Sequence, residues 1–157
     1  MNEQVLEELY KKWAYANMCL EIKINEGGRI ATDPDERFIK DYCLSTMNRQ
    51  RFVQYIQRAA YEKTGLTIRE LVKLVGCSRK AVETMIAELE PLGLVKKTTN
   101  EKGINTFAAT DKLLKYHLNY SKWLFRACSE TGLNETALAI SEIESFDLYE
   151  GVKLLRI

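Results

Sequence analysis

Few residues in this chain are equipped for covalent chemistry. It holds one histidine, His117, and four cysteines, Cys19, Cys43, Cys77 and Cys128. A single imidazole cannot build a multi-histidine metal site within one chain. The cysteines are too far apart in sequence for a CxxC knuckle or redox pair, so they read as reduced thiols, buried or half-buried, in a cytoplasmic protein. His117 falls among Leu113, Leu114 and Leu118 on a helical pattern, where a packed imidazole fits better than a ligand or a catalyst. No catalytic residue, metal ligand or cofactor is expected, and the chain is not read as an enzyme.

Hydrogen bonding is the chemistry on offer at residues 78–84, SRKAVET. Helical spacing turns Val82, Met85, Ile86 and Leu89 inward and leaves Ser78, Arg79, Lys80, Glu83 and Thr84 outside. Arg79 or Lys80 suits the O6 and N7 atoms of guanine, Ser78 or Thr84 a base or a phosphate, and Glu83 the N4 amine of cytosine. Thr67 and Arg69, at the start of the preceding helix, complete the set. Lys96, Lys97 and Lys102 follow in a basic, extended stretch and suit phosphates, which position a protein on a duplex without reading it. Because strand side chains alternate between faces, at most one of Lys96 and Lys97 is expected to point at a phosphate.

The charge distribution agrees. The net charge of +1 over 157 residues conceals segregation: residues 1–47 carry six basic and nine acidic side chains, residues 48–128 fifteen and seven, and residues 129–157 two and six. A polyanion would meet the middle segment and be repelled by both ends. No run approaches the length of a membrane span, and the acidic, amphipathic start MNEQVLEELYKKW is no signal peptide.

These side chains need elements to hold them. Residues 3–24 repeat Val5, Leu6, Leu9, Trp13, Ala16, Leu20 and Ile24 at helical spacing, with Asn2 as a cap and Gly27-Gly28 as a stop. Thr32-Asp33-Pro34 restarts a short helix to about Met47. Asn48 is the expected cap of the next helix, whose inward face is Phe52, Val53, Ile56, Ala59 and Ala60. Thr67 and Glu70 form a capping box at the head of IRELVKLV. Gly76-Cys77 turns the chain and Ser78 caps the following helix; Leu92-Gly93 fits its end, with Pro91 in the last turn loosening it or ending the helix early. Leu94 to Thr98 and Ile104 to Ala109 form a hairpin. Thr110-Asp111 opens a long helix that Gly132 ends, and a further helix begins near Asn134. Residues 152–157, VKLLRI, are a strand or a helical tail.

The order helix, helix, turn, helix, hairpin resembles a winged helix-turn-helix over residues 48–110, and the fold expected is mainly α with a small β-hairpin wing. Among such domains the chain is most similar to MarR-like regulators of bacteria. Thr67-Ile68-Arg69-Glu70-Leu71, Gly76-Cys77-Ser78-Arg79, Val82, Leu89-Glu90, Gly93-Leu94-Val95 and Ala109-Thr110 carry the resemblance. The wing tip, Asn100-Glu101-Lys102-Gly103, is shorter than is usual in that family and lacks the arginine of its Asp-x-Arg feature. The resemblance implies a homodimer built from the terminal segments, 1–47 and 111–157, that reads double-stranded DNA at a pseudo-palindromic site as a transcriptional regulator. A winged helix serving only as a protein-interaction module is the alternative. The aromatics Tyr10, Trp13, Tyr15, Tyr116, Tyr120 and Trp123 read as core and subunit packing, with a pocket for a small-molecule effector as the sharper possibility.

Overall fold

The computed structural model describes residues 2–26, 31 and 33–145. The Gly27-Gly28 stop, Thr32 and the 152–157 tail lie outside the described residues. Along the chain run α1 (Asn2–Asn25), α2 (Pro34–Ser45), α3 (Met47–Tyr61), α4 (Ile68–Val75), α5 (Arg79–Leu89), β1 (Val95–Thr99), β2 (Asn105–Ala109), α6 (Asp111–Glu130) and α7 (Leu133–Glu144). The chain divides into two compact units, residues 31–118 and a second unit built from the N-terminal residues to 30 and those from 119 onward. Among the described residues no helix is long and apolar enough to cross a membrane.

In the first unit each helix begins where a side chain satisfies its open N–H groups. Asp33 accepts from the backbone of Asp35 and Glu36, with Pro34 at the first helical position of α2. Thr46, not Asn48, caps α3: its hydroxyl accepts from Arg49 N at 3.2 Å. The chain is extended at Thr46 (φ −150°, ψ 152°), so α2 stops and α3 starts on one residue. At α4 the capping box forms in both directions, with Thr67 Oγ1 accepting from Glu70 N and the Glu70 carboxylate accepting from Thr67 N at 2.8 Å. Gly76 ends α4 in the left-handed region at φ 78°, which glycine enters without steric cost. Ser78 caps α5 by accepting from Ala81 N at 3.1 Å. That helix stops at Leu89, two residues before Pro91, which has no N–H to extend the ladder.

α3, α4 and α5 enclose one core. Phe52, Ile56, Leu71, Val75, Val82 and Leu89 are fully buried, and Leu94, Phe107 and Leu113 close over them. Each such side chain contributes about 1.5–3 kcal/mol relative to leaving it exposed. α2, placed with the N-terminal extension in the sequence reading, packs on α3 within this unit.

β1 and β2 pair antiparallel in the register Val95↔Ala109 to Thr99↔Asn105. Leu66 bridges Phe107 through backbone bonds of 2.9 and 2.8 Å, so the short link before α4 extends the wing's sheet. Gly65 permits this approach: a Cβ there would lie 2.6 Å from Thr106 Oγ1. In the second unit α1 packs along α7. Tyr10 donates to Glu144 at 2.8 Å, and Lys23 pairs with Glu130 at 2.7 Å.

Candidate nucleic-acid interface

The apolar stripe of α5 fixes which side of that helix faces out. Val82, Met85, Ile86 and Leu89 are buried, and Ser78, Arg79, Lys80, Glu83 and Thr84 are exposed. Arg79 keeps 76% of its side-chain surface accessible, so among the described residues no neighbouring element covers it.

Arg79 and Glu83 stand one turn apart on α5, and Arg79 Nε donates to Glu83 Oε1 at 2.7 Å. Exposed pairs at this spacing contribute only about 0.3–0.5 kcal/mol. Geometry matters more here than energy. The bond uses Nε and leaves out the two terminal nitrogens, which are the pair that straddles guanine O6 and N7 in a bidentate contact. Glu83 therefore engages Arg79 through Nε alone. Thr84 donates to the Lys80 carbonyl at 2.8 Å, so its hydroxyl proton is committed to the helix backbone and its oxygen faces outward as an acceptor.

The remaining residues named from the sequence fall into two groups. Thr67 is committed to its capping box, and Glu70 is held below the ordinary carboxylate range first by the Thr67 N–H and then by the Thr67 hydroxyl. Arg69 is exposed on α4. Lys96, Lys97 and Lys102 are all exposed on the hairpin. Its tip is fixed by Asn100, whose side-chain oxygen accepts from Lys102 N and Ile104 N, both at 2.9 Å.

Two residues not named for this surface from the sequence, one of them the expected cap Asn48, also line it. Asn48 and Arg49, in the first turn of α3, share a groove of about 370 Å³ with Ser78, Lys80 and Thr84. Arg49 donates to Glu88 Oε1 at 2.8 Å, and Tyr42 donates to Glu88 Oε2 at 2.6 Å. Burial and then the Glu88 carboxylate hold the Tyr42 phenol well above its usual range. Their only sequence signal is an arginine in a helix's first turn, where it opposes the helix dipole and so needs a partner.

His117 sits half-buried against Tyr61, with the hydroxyl 3.1 Å from its Nδ1, and burial lowers its pKa. Cys43 is pushed up to about 12 by burial, the state of an inert thiol. Among the described residues no group of three His, Cys, Asp or Glu is placed to hold a metal ion. Of the aromatics, Tyr116 donates to Asp33 at 3.0 Å, Tyr120 and Trp123 lie 5.9 Å apart, and Tyr15 is 70% exposed.

No family model matches the sequence, and a search of curated proteins found no significant match. Among solved structures, the chain is similar to the MepR–DNA complex of Staphylococcus aureus, with 16% identity over 72% of this chain and 93% of that one and a TM-score of 0.48. It is similar to the PcaV transcriptional regulator of Streptomyces coelicolor in complex with its natural ligand, with 20% identity over 61% and 71% of the two chains and a TM-score of 0.40. A single-substitution mutant of Lactococcus lactis ZitR gives 15% identity over 61% and 70% and a TM-score of 0.38. The order α3, α4, turn, α5, hairpin is that of a winged helix-turn-helix.

Proposed function

We propose that this chain is a sequence-specific DNA-binding transcriptional regulator that acts as a homodimer. The observation that carries the proposal is the two-sided character of α5, whose buried apolar stripe holds an exposed edge of Ser78, Arg79, Lys80 and Thr84 away from the core. A helix presented in this way fits the major groove, and its first turn meets the base edges.

Within that reading the roles divide by chemistry. Arg79, paired with Glu83, takes guanine O6 and N7 through its terminal nitrogens, and Lys80 takes a neighbouring base or phosphate. Thr84 accepts from a base amine. Lys102 and one of Lys96 and Lys97 neutralise phosphates beside the groove, with Arg69 as a further phosphate contact. No bond is made or broken, so regulation is by occupancy of the site.

Dimerisation belongs to the second unit. Tyr15, Met18 and Phe125 are 70%, 57% and 69% exposed there, large apolar side chains left uncovered among the described residues. The occupant proposed is a second copy, because the acidic ends keep this unit away from a polyanion and a palindromic site requires a two-fold reader.

The test is Arg79→Ala combined with Lys80→Ala, followed by gel shift on a duplex chosen from a random library. Specific binding should be lost while the thermal midpoint stays close to that of the wild type, because both side chains are exposed. Wild-type affinity in the double variant would show that α5 does not read DNA.

A further inference from the structure

Apolar packing holds α5 on the domain, but a greasy stripe sets the helix's rotation only through shape. A polar tie adds direction. Glu88 supplies one. Both oxygens of its carboxylate are engaged, one by Arg49 of α3 at 2.8 Å and the other by Tyr42 of α2 at 2.6 Å. The Arg49 guanidinium lies 4.6 Å above the centre of the Tyr42 ring. Arg49 also donates to Ser45 Oγ at 3.1 Å, and Ser45 Oγ donates to the Tyr42 carbonyl at 2.6 Å. The contacts close on themselves and tie three helices together at one point. Side-chain exposures of 33% for Arg49 and 31% for Glu88 place the tie at the edge of the core, where water screens it only in part.

Its position gives the tie its significance. Glu88 and Arg49 line the same groove as Lys80 and Thr84. A carboxylate there opposes a polyanion, so on charge alone its removal strengthens binding to any duplex. Base reading makes a different demand. An arginine tip about 6 Å from the helix axis moves by about 1 Å when the helix turns by about 10°, and bidentate contacts hold only within about 0.5 Å of their geometry.

We propose that Glu88 is a positioning residue for α5, setting the helix's rotation against α2 and α3 so that Arg79 and Lys80 meet the bases at one angle. The inference rests on the DNA-reading function proposed above and adds to it the residue on which discrimination, as distinct from affinity, depends. Charge and geometry act in opposite directions at Glu88, so the two roles separate in measurement.

The experiment compares wild type, Glu88→Gln, Glu88→Ala and Arg49→Lys. Each is titrated against a duplex selected from a random library and a random-sequence duplex of the same length, and hydrogen exchange is followed along α4 and α5. Glu88→Ala should bind the random duplex as well as wild type or better and the selected duplex at least about tenfold more weakly, a loss of roughly one bidentate base contact. Glu88→Gln, which keeps one acceptor oxygen, should recover part of the ratio, and Arg49→Lys should lower it. Exchange should quicken in α5 and not in α4. A ratio that is unchanged while both affinities rise would make Glu88 a mere surface charge. Both affinities falling together with the thermal midpoint would make it a stability residue only. Either result overturns the proposal. A wild type that does not discriminate between the duplexes defeats the DNA-reading function instead, and α5 exchange then decides the role of Glu88: unchanged protection in Glu88→Ala overturns it.

Discussion

Replacing Lys96, Lys97 and Lys102 together with alanine should flatten the salt dependence of DNA binding while leaving the fold in place. All three side chains are exposed, and β1 is held by backbone pairing to β2 and by the buried Val95, so the substitutions remove charge without removing a packing contact. Strand alternation turns one of Lys96 and Lys97 toward the duplex, and Lys102 adds a second contact at the tip, so about two phosphates are neutralised per wing and about four per dimer. Each neutralised phosphate contributes about 0.9 to the slope of log affinity against log salt, so the slope should shrink by about 3.6. Between about 50 and 200 mM salt this makes the wild type lose roughly a hundredfold more affinity than the variant does. Fluorescence anisotropy on one labelled duplex across that range measures both slopes, and a thermal melt confirms folding. Parallel lines for the two proteins would refute the reasoning, because the wing would then carry no phosphate contacts.

Three further outcomes follow from particular contacts. Gly65→Ala places a methyl 2.6 Å from Thr106 Oγ1 and 2.8 Å from Thr106 Cβ, so the Leu66–Phe107 bridge must shift; a loss of about 1–3 kcal/mol is expected in urea titration, and none if the link is free to move. Glu70 has its pKa lowered by the Thr67 N–H and hydroxyl, so its contribution to stability is present above the ordinary carboxylate range and is lost as pH falls through the depressed value. Glu70→Gln should therefore reduce the fall in denaturation midpoint on acidification from about pH 5.5 to 3, and an unchanged fall would contradict the capping role. Tyr15→Asp with Phe125→Asp puts charge on two side chains that are 70% and 69% exposed; light scattering should report a monomer, and an intact dimer would move the interface elsewhere.

Much of the fold was legible because its signals are local. Thr67 and Glu70 stand at capping-box spacing, Ser78 precedes an amphipathic run, and Gly76 occupies the turn between them, so α4 and α5 followed from side chains a few residues apart. Pro91 was expected to loosen the last turn of α5 or end it early, with Leu92-Gly93 still fitting a helix end, and the helix ends at Leu89. The cap of α3 fell on Thr46 and not on Asn48, because capping is decided by which residue takes the extended conformation, and both types can cap. What depends on distant partners was not legible. Leu66 joins Phe107 across the wing, and Glu88 reaches Arg49 and Tyr42 on two other helices; no periodicity within one segment encodes either contact. Glu83 lay between these cases. Its spacing from Arg79 was visible, yet it read as an acceptor for cytosine N4, and the structure engages its carboxylate with Arg79.

Selection of bound duplexes from a fully random library, carried out with the intact protein, tests the central claim most directly. The expected result is enrichment of one sequence built from two inverted half-sites about one helical turn apart, each centred where an α5 of the dimer enters the major groove. A library that emerges with no sequence enriched over its input would contradict the claim that the exposed edge of α5 reads DNA.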